Sequence, residues 1–382
     1  MTEHEEFTSH RNYRDWTIHN DIQGRINMRK RFLIVAAAVT IVLVLAGYIV
    51  FVNFVAPRII YSWSESLPIV EGIGNVDPFA FEDSKGIIHL FWAKNATGNY
   101  DIYEKIFDGT NWSEEERLTS NSSEEREPSA TEDNAGTIHL FFSSNNTGNF
   151  RVYEMLYEEG QWGMPISIPH KLIDYSLNSF HHPSAVIDNE GTTSLFFYSF
   201  TGQTENINDL FMIKNDGSGW SEQVTIGSDG WDANAIKDAN GYFHIYCSYS
   251  PYTGEPPPSI IEWTYNGISW NEGTVSNAIP AGYIGSRYPS SSLDSKGNIC
   301  LFYSEETDSF RIWGQVRTVK GDWTVPVEIT HGVMPATLQS HDGTVYLFYV
   351  NNPTLKSEGR YTFLIGGSIN MIKSDSPFFF GL

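Results

Sequence analysis

One ten-residue phrase recurs six times along this chain and dictates most of its architecture. Its first copy is Asp83-Ser84-Lys85-Gly86-Ile87-Ile88-His89-Leu90-Phe91-Trp92. Gly86, Gly136, Gly191, Gly241, Gly297 and Gly343 each open a copy. Three residues before the glycine stands Asp83, Asp133, Asp188, Asp238 or Asp294, with Ser340 in the last copy. Five residues after it stands Phe91, Phe141, Phe196, Tyr246, Phe302 or Phe348. A turn followed by an apolar strand fits this pattern.

The glycines are 50, 55, 50, 56 and 46 residues apart. That period belongs to propeller blades of four strands. Within a blade, a short strand carrying Pro78 and its equivalents precedes the turn, and the apolar strand follows it. A third strand lies around 101–106, and a fourth begins at Trp112. The Trp element recurs as Trp162, Trp220, Trp270 and Trp323, five copies for six glycines. The sixth is Trp63, ahead of the first blade. A strand over 61–70 is therefore expected to pair into the last blade and close the ring, which leaves no open sheet edge. The expected fold is an all-β, six-bladed β-propeller closed by an N-terminal strand.

Composition agrees. Aromatic residues make up 14% of the 382 residues and charged residues 18%, which suits many short strands. The net charge of -22 argues against a nucleic-acid partner. Residues 1–57 hold six Lys/Arg and five Asp/Glu, so 58–382 hold 18 basic and 41 acidic residues. Cys247 and Cys300 are not a disulfide framework, and their offset along neighbouring blades predicts two buried free thiols.

Residues 32–56 carry no charge and are long enough, as a helix, to span a bilayer. Arg25, Arg29, Lys30 and Arg31 flank them on the N-terminal side. The expectation is a cytoplasmic tail over 1–31, a transmembrane helix over 32–56, an extracytoplasmic propeller over 57–372 and a tail over 373–382. That makes a single-pass, type II protein of the cell membrane. The acceptor triplets at Asn95, Asn111, Asn121 and Asn145 fit N-glycosylation in that compartment.

The residue before each Pro position breaks the repeat. It is Asp77, Glu127, His182, Asp232, Tyr288 and Met334 in turn. One residue earlier stand Val76, Arg126, His181, Trp231, Arg287 and Val333. Structural positions should repeat, whereas site positions are free to differ. Asp77, Arg126, Glu127, His182, Trp231, Asp232, Arg287 and Tyr288 are therefore the candidate ligand-binding residues at the channel mouth. Asp77, Glu127 and Tyr288 are the candidate catalytic groups. Carboxylates facing one another can work on a glycosidic bond, and they can also bind calcium through oxygen. His89, His139 and His244 share one repeat position in different blades, so they read as structural rather than metal-binding.

At the Asp-x-x-Gly-x-x-His-Leu-x-Phe strand and the Asp-Gly-x-x-Trp-Ser turn, the chain resembles the sialidase-like (BNR-repeat) six-bladed propellers and related propeller lectins. The resemblance covers about 58–372. The family's Asp box is Ser-x-Asp-x-Gly-x-Thr-Trp. Here the step from Asp to Gly is three residues, and no copy ends in Thr-Trp. The resemblance implies a carbohydrate-directed propeller. Sialidases carry an arginine triad, a Tyr–Glu nucleophile pair and an acid Asp. Arg126, Arg287, Tyr288, Glu127 and Asp77 supply those residue types, and a third arginine has no match. The expected function is a propeller that binds a glycan or a cell-surface partner at its channel mouth. The alternatives are a sialidase-like glycoside hydrolase and a structural surface module.

Overall fold

The computed structural model describes residues 30–31, 33–45, 58–60, 63–169, 178–201, 208–228, 230–249, 259–275, 286–305, 310–358, 361–375 and 378–380. The chain divides into two units, Met1–Ala56 together with Leu382, and Pro57–Gly381.

The second unit is all β. Blade 1 runs from the end of the strand Leu67–Glu82 through Ile88–Asn95, Tyr100–Phe107 and Glu116–Arg117. Blade 2 has Glu125–Glu132, Ile138–Thr147, Asn149–Glu158 and Ile166–Ser167. Blades 3, 4 and 5 begin with Asn178–Ile187, Gly230–Lys237 and Ser286–Leu293 and each add three antiparallel strands. Blade 6 has Val333–Gln339, Thr344–Glu358 and Tyr361–Asp375. Its fourth strand comes from the other end of the chain. Leu67 pairs with Met371, Val70 with Ile369, and Trp63 bridges Ser374. The strand then continues into blade 1, which fuses the two blades into one seven-stranded sheet. The ring closes as the missing Trp copy implied.

The turn that opens each repeat holds itself together. Asp83 Oδ1 accepts the Lys85 and Ile87 amides at 2.9 and 2.8 Å, and Gly86 N donates to Asp83 O. Gly86 sits at φ +79°, a left-handed conformation that glycine adopts at least cost. The same bonds recur at Asp133, Asp188, Asp238 and Asp294. In the last copy Ser340 lacks the carboxylate, and Asp342 Oδ1 accepts the Thr344 amide instead, at 2.8 Å.

The strand after the turn is buried on both faces. Leu90, Phe91 and their counterparts in all six blades are 0% exposed. Each aromatic in this position is met edge-on by the Trp of the next blade. Phe91 meets Trp162, Phe141 meets Trp220, Phe196 meets Trp270 and Tyr246 meets Trp323, with centroids 5.8–6.1 Å apart. Phe302 meets Trp63, and Phe348 meets Trp112. The repeated histidines are structural. His89 Nδ1 lies 2.7 Å from Glu104 Oε1, and its Nε2 lies 3.6 Å from Asp83 Oδ2. His139 and His244 do the same in their own blades. Cys247 and Cys300 are buried free thiols, and burial pushes the Cys247 thiol up to about 12.

One expectation is corrected. Among the described residues no helix is long and apolar enough to cross a membrane. The described helical residues are 30–31 and 33–45. Residues 33–45 rise about 20 Å at about 1.5 Å each, short of a core of about 30 Å. The transmembrane helix expected over 32–56 is therefore not found, and the membrane as a partner has no other support in the structure. Residues 1–29, 32 and 46–57 lie outside the described residues.

Candidate functional site

Six non-glycine residues at one repeat position share a left-handed backbone: Asp77, Glu127, His182, Asp232, Tyr288 and Met334, with φ between 52° and 60°. These are the residues before the Pro positions. At each, the ladder to the next strand slips, as between Val76 and Phe79 or Arg126 and Ser129. Each innermost strand thus carries a β-bulge, which re-aims one side chain and frees one amide. A left-handed non-glycine residue costs on the order of 1 kcal/mol. Met334 shares the conformation, so the strain belongs to the fold and not to any one chemistry. Blade 4 has Ala233 where the others have proline, and it bulges all the same.

The bulge turns all six side chains into one cavity of about 430 Å³, which runs down the innermost strands to Glu82, Gln339 and His341. The freed amides donate across blade boundaries. His182 N donates to Glu127 Oε2 at 2.8 Å, Tyr288 N to Ser248 Oγ at 3.1 Å and Met334 N to Ser304 Oγ at 2.9 Å.

Five of the eight expected ligand-binding residues line this cavity: Asp77, Glu127, His182, Asp232 and Tyr288. Arg126 reaches it by donating from Nε to Asp77 Oδ2 at 3.0 Å, and its guanidinium lies over the Tyr100 ring. Trp231 is 38% exposed one residue ahead of Asp232, and neither it nor Arg287 lines the cavity. Of the expected acceptor asparagines, Asn95, Asn111 and Asn121 are exposed. Asn145 is half-buried, with Oδ1 accepting the Glu124 amide.

Asp77, Glu127, His182 and Asp232 form a polar arc of the mouth, and Tyr288 and Met334 an apolar one. Glu127 is the hub. Its Oε2 accepts Ser143 Oγ at 2.8 Å, His181 Nδ1 at 3.3 Å and the His182 amide. Its Oε1 lies 3.4 Å from His182 Nε2, which is also 3.1 Å from Asp232 Oδ1. Asp232 Oδ2 accepts Ser248 Oγ at 2.8 Å. Among the described residues no hydrogen bond reaches Asp77 Oδ1.

These contacts drive the two acidic groups apart. Burial raises the Asp77 pKa against the pull of Arg126, and the neighbouring Glu127 charge adds to the rise. Burial works against Glu127 too, but His182, His181 and Arg126 hold its pKa well below the carboxylate range. Burial opposes the His182 charge, yet Glu127, Asp232 and Asp77 raise its pKa. Burial opposes the Arg126 charge as well, and Asp77, Glu127 and Tyr100 hold that guanidinium protonated.

Ser143, Ser248 and Tyr100 were not among the sequence candidates. The serines had a signal. They stand seven residues after their repeat glycines, just past the buried aromatic core of the strand. Tyr100 had none. Among the described residues no group of three or more His, Cys, Asp or Glu side chains is placed to hold a metal ion. The mouth carboxylates already face guanidinium and imidazole groups. A calcium ion there would have to compete with both.

No protein-family model matches the chain, and no curated protein matches it in sequence. Solved structures do match. One is a protein of unknown function from Dyadobacter fermentans, with TM-score 0.65 and 12% identity, over 84% of this chain and 99% of that one. A second is the NanB sialidase of Streptococcus pneumoniae, with TM-score 0.59 and 10% identity, over 83% and 70%. A third is an α-L-arabinanase of Penicillium chrysogenum complexed with arabinobiose, with TM-score 0.60 and 13% identity, over 83% and 98%. At these identities the likeness is one of fold. The chain has the sialidase-like β-propeller architecture.

Proposed function

We propose that the channel mouth binds a glycan. The observation that carries this is the ring of six left-handed residues, which the fold aims into one cavity while their chemistry differs from blade to blade. A cavity of this size with a few convergent polar groups is the usual form of a small-ligand site. Its two arcs match a sugar ring, which offers hydroxyls at its edge and C–H groups on its face. Trp231, exposed and one residue ahead of Asp232, is the aromatic that would stack on that face. The names of the sialidase and the arabinanase of similar fold point to the same ligand class. The test is thermal stability of the full chain across a panel of sugars. A saturable rise for at least one sugar, lost in Asp77→Asn/Asp232→Asn, supports the reading. No rise for any sugar removes it.

Glycoside hydrolysis is a second reading, favoured by one observation. Asp77 and Glu127 are neighbouring carboxyl groups whose surroundings push their proton affinities in opposite directions. Such a split is how acid and base roles are divided. Asp77, with a free Oδ1, would be the acid. Glu127 has both oxygens engaged and suits the role of a positioning group. Release of reducing sugar by the wild type, abolished in Asp77→Asn, is the outcome this reading requires.

A further inference from the structure

Nine non-glycine residues among those described have a left-handed backbone. Six form the ring at the mouth, and Glu159 sits in a hairpin turn. The other two, Phe310 at φ 41° and Asn352 at φ 48°, belong to one place. Both line an open pocket of about 460 Å³ between blades 5 and 6, together with His331, Gly332, Asn351 and Pro353. A bulky side chain is seldom found in that conformation, and strained residues cluster at ligand sites.

The local sequence explains the shape. Pro353 has no amide to donate, and the ladder between Thr344–Glu358 and Tyr361–Asp375 slips between Asn351 and Thr354. Asn352 leaves the pairing there, and asparagine tolerates a left-handed backbone better than most residues. Gly332 N donates to Phe310 O at 2.8 Å, which ties Phe310 to the start of blade 6. A Cβ on Gly332 would lie 2.5 Å from the Tyr349 ring and 2.9 Å from Val350 O, so glycine keeps this wall bare.

Two features connect the pocket with the channel mouth. Gly332 lines the pocket and Met334 lines the channel cavity, and two residues of chain span at most about 7 Å. Phe310 and Tyr288 pack against one buried cluster that includes Val333, Met334 and Val350. The chemistry of the pocket also suits the ligand of the mouth. The side-chain amides of Asn351 and Asn352 line it and make no hydrogen bond among the described residues. Each offers two N–H donors and a carbonyl acceptor, which match sugar hydroxyls. No lysine or arginine is among the described lining residues, so no such cation favours a carboxylated or sulfated unit.

We propose that this pocket is a second sugar subsite, with Phe310 stacking on a sugar face and the Asn351 and Asn352 amides bonding its hydroxyls. The ligand is then a neutral oligosaccharide that runs from the channel mouth toward the boundary of blades 5 and 6. The subsite rests on the glycan reading of the mouth.

The test is calorimetric titration of the full chain with arabino-, xylo-, manno- and chito-oligosaccharides of one to four units. In at least one series, affinity should rise at least about tenfold on adding the second or third unit. Asn351→Ala/Asn352→Gly should remove that step and leave affinity for the single unit unchanged. Neither amide is bonded within the fold and glycine takes the left-handed backbone freely, so this variant should melt with the wild type. Phe310→Leu, which keeps an apolar side chain without a ring, should shrink the step. Affinity independent of chain length overturns the subsite and leaves the mouth as a site for one sugar. A step undiminished in either variant places the extra contacts elsewhere and overturns it too. Binding of no member of any series removes the glycan reading itself, and the subsite with it.

Discussion

Trp63 meets Phe302 edge-on, with ring centroids 6.0 Å apart and planes at 73°. Trp63 precedes the first blade in sequence, yet it occupies the place that Trp162, Trp220, Trp270 and Trp323 hold in the ring. The contact is the side-chain counterpart of the strand pairing that closes the propeller. Edge-to-face pairs contribute about 0.5–1.5 kcal/mol beyond their burial. Trp63→Ala removes the pair and its packing and is expected to cost about 3 kcal/mol. Urea unfolding of wild type and variant would show it. A change below about 0.5 kcal/mol would mean that the ring does not depend on this closure.

Two turn aspartates, Asp238 and Asp342, make a pH-dependent contribution. Asp238 is opposed by burial, but the Tyr242 amide and the Asn240 side chain hold its pKa below the usual value. In Asp342 the Thr344 amide and hydroxyl do the same. A depressed folded-state pKa gives stability that is present above the unfolded value of about 3.9 and lost as pH falls through the folded one. The melting temperature should therefore drop between about pH 4 and pH 2. Asp238→Asn should drop less steeply, and equal slopes would remove Asp238 from the account.

His182 has the opposite sign. Its folded pKa is raised, so its contribution is full below the unfolded value of about 6.5 and fades as pH rises through the folded one. The stability gap between wild type and His182→Gln should be widest near pH 5.5 and narrow above pH 8. A gap that widened with pH would show that His182 is neutral between Glu127 and Asp232.

Glu127→Gln should weaken glycan binding without unfolding the chain. It keeps one oxygen to accept Ser143 Oγ and the His182 amide, but removes the charge that holds both histidines. A loss of about tenfold in affinity corresponds to about 1.4 kcal/mol. Unchanged affinity would show that the hub does not act on the ligand.

The architecture was legible because it is written six times. Period, turn and aromatic each appear in register, and the missing Trp pointed to the N-terminal strand. The ring was legible for the opposite reason, since Asp77, Glu127, His182, Asp232, Tyr288 and Met334 are where the repeat stops repeating. Their left-handed backbone was not legible. Nothing common to an aspartate, a histidine, a tyrosine and a methionine announces a bulge. The hydroxyls of Ser143 and Ser248 carried only a weak signal, because a serine at the end of a buried strand reads as packing until its partner on the bulge is known. Hydropathy set the expectation for 32–56, and the helical residues described there, 33–45, are too few to cross a bilayer.

The most direct test is calorimetric titration of the full chain with the strongest ligand from an oligosaccharide screen, repeated on Asp77→Asn/Asp232→Asn. One saturable site is expected in the wild type, with affinity at least about tenfold weaker in the variant at equal folded fraction. Binding that the double substitution leaves unchanged would place the ligand away from the channel mouth and contradict the account.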